Sequence, residues 1–328
     1  MESVVHLLII REQFHMAIAL PVLRSGTLAW TTADLCTDLS WQQDAPAARD
    51  ADIQRWDQGA NQQDDPIQAW SWELLSLPAI ATLARAIAQQ ITNGFGFSWV
   101  RNVAPGQAPE LQRLVYLVIG SALGNILENY GRLYTVTNRG VCYKTQAVPV
   151  SMTDAATDFH TDSSARLVEP DIISLLCLQP GKTGGDSRLC SAITVHDYLE
   201  DTAPHLLKYL YEPMIRDVVT PGASRDLNCL RANAFPVFGP GQPLTFRYMR
   251  YWIEKGHKRA NLPLSDGQLA ALDALDQALE QPDHVQTFRM EKGDQLWVNN
   301  RCLAHDRRSY VDDPENPRTM VRMWIERS

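Results

Sequence analysis

Near the carboxyl end, Arg318-Thr319-Met320-Val321-Arg322-Met323-Trp324-Ile325-Glu326 alternates without a break. Arg318, Met320, Arg322 and Trp324 fall on one side; Thr319, Val321, Met323 and Ile325 fall on the other. A period of two marks a strand, in which successive side chains leave on opposite faces. The two arginines therefore share a face. Two guanidiniums on one inward face of a barrel are costly unless each meets an anion.

Working outward, further short runs have the same texture: Val141 to Val150, Asp171 to Gln179, Leu244 to Tyr251 and Gln295 to Asn299, set off by Gly and Pro. The front of the chain differs. Leu74, Leu77, Ile80, Leu83, Ile87 and Ile91 recur at spacings of three and four, with Asn93-Gly94 as a stop, which predicts a helix. A strand is expected from Phe95 to Val100. A second helix starts at Pro109, a favoured first position, and runs through Leu111, Leu114, Val115 and Val118 towards Ile126. A third has Ser265 as its N-cap and carries Leu269, Leu272, Leu275 and Leu279. The fold class expected is mainly β with flanking helices, a sandwich or jelly roll rather than a doubly wound sheet. GxGxxG and GxxxxGK[ST] are both absent, so those nucleotide cradles are excluded. Gln42 to Gln68, rich in Asp, Gln and Ala with Pro46 and Pro66, reads as a loop, a mobile insertion or a lid. The organisation expected is an N-terminal extension over 1–70 and one domain over 71–328, with a helical insert near 263–282.

The chain has 328 residues, 45% hydrophobic and 21% charged, which is ample material for a core and excludes wholesale disorder. Its net charge of −8 argues against a nucleic-acid partner. No apolar run approaches the roughly 20 residues of a membrane span. Glu2 stands where a signal peptide carries positive charge, and the six cysteines are scattered without a CxxC pair. Reduced thiols and a cytoplasmic location are the expectation.

The richest segment is Thr157-Asp158-Phe159-His160-Thr161-Asp162. On an extended strand His160 and Asp162 leave the same face. An imidazole and a carboxylate converging there are two thirds of a facial triad for non-haem Fe(II). Taken alone, a His-x-Asp triplet arises often by chance. Three distant features strengthen it. Trp297-Val298-Asn299-Asn300-Arg301-Cys302-Leu303-Ala304-His305 can bring a second histidine on a strand end. Gly184-Gly185-Asp186-Ser187 can feed a hydroxyl into a site, and Arg318 and Arg322 share one strand face.

Together these motifs resemble the taurine dioxygenase-like, or clavaminate synthase-like, family of Fe(II)/2-oxoglutarate-dependent oxygenases. The resemblance covers roughly Leu74 to Arg327 and rests on His160-Thr161-Asp162, Gly184 to Ser187, Asn300-Arg301-x-x-x-His305 and Arg318-x-x-x-Arg322. It implies a double-stranded β-helix, a cupin-like jelly roll. It implies His160, Asp162 and His305 as iron ligands, and Arg318 with the Ser187 hydroxyl on the distal carboxylate of 2-oxoglutarate. Ser187 replaces a usual Thr and keeps the donor. Arg322 matches a position that meets the anionic group of acidic or amino-acid substrates. Asn299 replaces a common acidic residue. Retention of Asp162 distinguishes the chain from halogenating relatives and implies hydroxylation, desaturation or ring formation. The cosubstrates implied are 2-oxoglutarate and O2, with succinate and CO2 released. A hydroxylase acting on a small molecule, an amino acid or other carboxylate of specialised metabolism, is the reading that follows.

Other residues carry weaker expectations. Arg247 and Tyr251 share strand parity and are candidates for a substrate-facing side, with Asn138 and Gln146 upstream. His196, His205, His257 and His284 read as surface or structural, and Cys302 and Trp297 as core. Residues Met1 to Pro66 are candidates for a substrate lid or a homodimer contact. Two other functions stay open at this stage: a non-catalytic ligand-binding member of the fold, and a zinc hydrolase using the same two histidines and carboxylate.

Overall fold

A computed structural model describes residues 27–47, 49–60, 77–104, 106–141, 150–166, 168–217, 226–241 and 244–327. Gln146, most of the expected Val141 to Val150 strand and residues 1–26 lie outside them.

The first sheet contains β1 (Gln42–Asp44), β2 (Phe97–Arg101), β3 (Asn125–Ile126), β4 (Tyr134–Val136) and β5 (Ile172–Gln179). The second contains β6 (Ser187–Ser191), β7 (Val285–Phe288) and β9 (Leu303–Arg307). β8 (Gln295–Asn299) and β10 (Thr319–Glu326) return to the first. Its order is β1-β2-β8-β5-β10-β3, with β4 also on β10; the second is β7-β6-β9. Every pairing is antiparallel except β1 with β2. This is the double-layered β architecture with flanking helices that the strand texture implied.

The alternation read in β10 decides the packing. Val321, Met323 and Ile325 join the core beneath α1 (Pro78–Asn93) and α2 (Pro109–Leu123), beside Ile87, Ile119 and Trp297. Met320 and Trp324 face the interior between the sheets with Ile173, Leu189 and Leu303. β5 divides likewise, Ile172 and Leu176 towards the helices and Ile173 and Cys177 inward. A third cluster packs α4 (Asp266–Leu279) against Ala192–Thr202 and the far side of the second sheet. Its start is a capping box: Ser265 Oγ accepts from the Gln268 amide at 3.2 Å, and Gln268 Oε1 accepts from the Ser265 amide at 3.0 Å.

Two expectations are corrected. Within Gln42 to Gln68, Gln42–Asp44 is strand β1 and Arg49–Ala60 is a helix, not a loop. The tie is long-range. Asp52, 2% exposed, accepts from the amides of Ala79 at 2.8 Å and Ile80 at 3.2 Å, so its carboxylate caps α1 from another element. Leu244 to Tyr251 is not one strand either. Only Thr245–Phe246 is strand, and α3 (Arg250–Ala260) begins after three intervening residues. Its Gly256 lies so close to Ile215 that a Cβ would stand 2.5 Å from that carbonyl. Helical burial of Ile253, Gly256, His257 and Ala260 outweighs the strand-like aromatics before it.

Candidate metal centre and cosubstrate cavity

The two ends of the expected ligand set meet through the backbone. His160 and His305 form an isolated antiparallel bridge, with N–H to O distances of 3.0 and 2.9 Å. Their rings lie 4.4 Å apart. His160 Nδ1 is 2.8 Å from the Asp158 carbonyl, which assigns the proton to Nδ1 and leaves the Nε2 lone pair facing the cavity. The segment is not a regular strand: after His160 it turns, with Ser163 at φ 60°.

Asn300 holds Asp162 in that turn. Its Oδ1 accepts from the Asp162 amide at 2.8 Å, and its Nδ2 donates to the carbonyls of Asp162 at 3.1 Å and Pro170 at 2.9 Å. The Asp162 side chain is held at one oxygen only. Trp324 Nε1 donates to Oδ2 at 2.6 Å, and Arg322 Nη1 lies 3.2 Å from the same atom. Oδ1 is left to face His160 Nε2 at 3.7 Å and His305 Nε2 at 3.8 Å. Burial by itself raises the Asp162 carboxyl, but the Arg322 charge and the two imidazoles outweigh it and hold the group well below its ordinary range. Burial, then His160, pushes His305 down.

The donor set fits a cation. Two imidazole lone pairs and one carboxylate oxygen lie within 4.8 Å of one another. The separations from Oδ1 exceed hydrogen-bond length, and with its proton on Nδ1 the His160 Nε2 offers none to Asp162. A cation among the three atoms would meet the carboxylate oxygen and the imidazole nitrogens together. Two neutral nitrogens and one carboxylate are the set preferred by non-haem Fe(II).

The neighbouring wall of the cavity is cationic. Arg318, 2% exposed, has its guanidinium carbon 4.9 Å from the Tyr310 ring. Its Nη1 is buried with no hydrogen-bond partner, and among the described residues it pairs with no carboxylate. Burial pushes its guanidinium down. Gly185 makes room for it: a Cβ there would lie 3.2 Å from Arg318 Nε, and φ is +77°. Gly184, at φ +69°, pairs with Tyr310. Ser187 is 5% exposed and lines the same cavity.

The remaining expectations separate. Arg322 lines the cavity, but its guanidinium belongs to Asp162 and lies 4.5 Å from the Trp324 ring and 5.1 Å from that of Tyr134. Arg247 is a correction: it pairs with Glu169 at 3.0 Å, stacks 3.9 Å over Phe235 and does not line the cavity. Tyr251 sits on α3 against Trp252, and it is Trp252 that reaches the cavity wall. Asn138 turns its Oδ1 to the Gly140 amide, outside the cavity lining. Trp297 and Cys302 are core residues. His257 is structural, accepting from the Ile215 amide at 3.0 Å, and His284 bonds the Ala278 carbonyl at 2.8 Å. Sequence reading gave no role to Trp324, Asn300, Tyr310 or Arg307. Trp324 and Asn300 carry a signal: Trp324 shares the parity of both arginines, and Asn300 stands in the motif Asn300-Arg301-x-x-x-His305.

The chain is similar to known proteins over much of its length. The chain is 23% identical over 310 residues to FR-33289 synthase of Streptomyces rubellomurinus (strain ATCC 31215), covering 92% of this chain and 89% of that protein. It is 29% identical over 187 residues to a uridine-5'-phosphate dioxygenase of Streptomyces sp, covering 53% and 63%. Among solved structures, an asparagine oxygenase in complex with Fe(II), 2S,3S-3-hydroxyasparagine and succinate superposes with a TM-score of 0.68 at 18% identity, covering 87% and 93%. The non-heme iron oxygenase OrfP in complex with Fe and alpha-ketoglutaric acid gives 0.61 at 12% identity, covering 87% and 94%. These likenesses establish the fold. The profile of one family matches residues 63–324, and the chain accordingly belongs to the taurine catabolism dioxygenase TauD, TfdA family.

Proposed function

We propose that His160, Asp162 and His305 hold the Fe(II) of this 2-oxoglutarate-dependent dioxygenase, and that Arg318 with Ser187 receives the distal carboxylate of the cosubstrate. Bound iron supplies the coupled chemistry: O2 converts 2-oxoglutarate to succinate and CO2 while a C–H bond of a small molecule is oxidised. Around it the chain's own groups position and exclude. Trp324 and Arg322 fix one oxygen of Asp162 and keep it ionised. Asn300 fixes its backbone. A guanidinium grips a carboxylate through two parallel N–H donors, which suits Arg318 and its partnerless Nη1. Trp252, Met249 and Tyr130 complete the wall for the prime substrate. Hydroxylation of an amino acid or another small carboxylate is the reaction this supports. The structural relatives favour it, since the asparagine oxygenase is in complex with 2S,3S-3-hydroxyasparagine and succinate.

One observation carries the reading: three mutually facing ligand atoms beside a buried arginine that lacks a carboxylate. A zinc hydrolase would use the first feature and has no need of the second. Anaerobic addition of Fe(II) and 2-oxoglutarate to the purified protein should produce a weak metal-to-ligand charge-transfer band in the green region, absent without 2-oxoglutarate. No band, with iron shown to be bound, sinks the reading and leaves the hydrolase and non-catalytic alternatives.

A further inference from the structure

The cavity holds a second buried cation, Arg307, beside Arg318. Arg307 ends β9 two residues after His305, so both side chains leave on the cavity side. Its cross-strand partner is Ser187. Its guanidinium carbon lies 4.9 Å from the Tyr310 ring, the same ring and the same distance as Arg318. Its Nη2 donates to the carbonyls of Thr153, at 2.9 Å, and Ala155. Its amide donates to Thr157 Oγ1 at 2.9 Å. Nε is buried without a partner, and among the described residues no carboxylate pairs with it.

Arg216, outside the cavity, is buried with no ion pair among the described residues and donates to the carbonyls of Phe235, Pro236 and Arg247, while several other guanidiniums meet a carboxylate. Arg188 is held by Asp306 and Glu280, Arg247 by Glu169, Arg250 by Asp273 and Asp276, and Arg322 by Asp162. Arg307 and Arg318 stand apart, sharing a phenol ring in place of an anion. Two desolvated cations in mutual repulsion are stabilised by an anion placed near both.

We propose that Arg307 is a specificity-determining residue of the cosubstrate end of the cavity: with Arg318 it selects a 2-oxo acid bearing a second, distal carboxylate over one without it. This rests on the reading of that end as the 2-oxoglutarate site. The long-range charge of Arg307 acts on the distal carboxylate, while its hydrogen bonds hold the Thr153 to Thr157 segment against β9.

Arg307→Gln removes the charge and keeps an amide donor, while Arg307→Lys keeps the charge and loses the fork that holds the Thr153 and Ala155 carbonyls. The experiment titrates 2-oxoglutarate and 2-oxobutanoate into the anaerobic Fe(II)-loaded protein and reads the charge-transfer band; the longer monoacid 2-oxopentanoate replaces 2-oxobutanoate if that acid binds too weakly to titrate. Arg307→Gln should weaken 2-oxoglutarate about tenfold and leave the monoacid within about twofold, while Arg307→Lys keeps the wild-type ratio within about threefold. Equal losses for both ligands would reduce Arg307 to a structural support and overturn the proposal. So would no loss for either. If Arg307→Gln fails to fold, Arg307→Lys decides alone: a collapsed ratio in that folded variant overturns the proposal. Absence of the band in wild type with 2-oxoglutarate is a different outcome, which removes the parent reading and this one with it.

Discussion

At the metal pole every charge is answered within the protein, whereas at the cosubstrate pole it is not. Asp162 meets Arg322 and the Trp324 indole, and its backbone is clasped by Asn300. A short distance along the same cavity, Arg318 and Arg307 flank Tyr310 with no ion pair to either guanidinium among the described residues, Asp312 meeting only the Arg318 backbone amide. The difference separates two kinds of preparation. Internal compensation fixes a ligand's geometry and its ionisation before any metal arrives. Leaving buried cations uncompensated stores a field that only an incoming anion relieves, which makes binding selective for that anion. The strand β10 serves both poles: Arg318 lies just before it, and Arg322 and Trp324 lie on its inward face.

The most severe way to break the contrast is to remove a ligand. Asp162→Ala or His160→Ala should bring Fe(II) uptake and succinate formation below detection while the fold survives by circular dichroism. Full succinate production by either variant would refute the ligand assignment. Next is Arg318→Ala. Two charge-assisted hydrogen bonds at about 1.5 kcal/mol each imply roughly a 100-fold weaker 2-oxoglutarate affinity, read by titration of the charge-transfer band. An unchanged affinity removes Arg318 from the site. Trp324→Phe tests the compensated pole more gently. It deletes only the N–H to Asp162 Oδ2, and metal affinity should fall about 10- to 100-fold. Asn300→Ala strands the Asp162 amide and two carbonyls, and at about 1–3 kcal/mol for each buried group left unpaired it should lower the melting temperature by several degrees. Ser265→Ala, in the capping box of α4, should cost about 1 kcal/mol and leave iron and 2-oxoglutarate affinity unchanged. A change in either affinity there would show that stability alone, and not local charge, governs the site.

Much of the site could be read from the chain because its parts lie in short local patterns. His160-Thr161-Asp162, Gly184-Gly185 and the alternation from Arg318 each name residues whose neighbours fix their direction. The reading failed where a long-range contact outweighs local texture. Gln42 to Gln68 looked like a loop, yet Asp52 caps α1 and Gln42–Asp44 pairs with β2. Phe246 and Tyr248 read as one strand with Tyr251, yet a helix from Arg250 buries Ile253, His257 and Ala260 and sets Gly256 against Ile215. Arg247 was credited with a substrate and has Glu169 instead.

The sequence by itself determined which candidate residues share a face, since period-two alternation and glycine turns are properties of the local chain, and the family resemblance supplied their expected roles toward iron and 2-oxoglutarate. Tertiary structure decided which cations remain free. Arg318 and Arg322 share a face and are equivalent by pattern, but a carboxylate from a distant turn reaches only one of them. The partner of a buried charge is chosen by packing between segments far apart in sequence, where no local period records it.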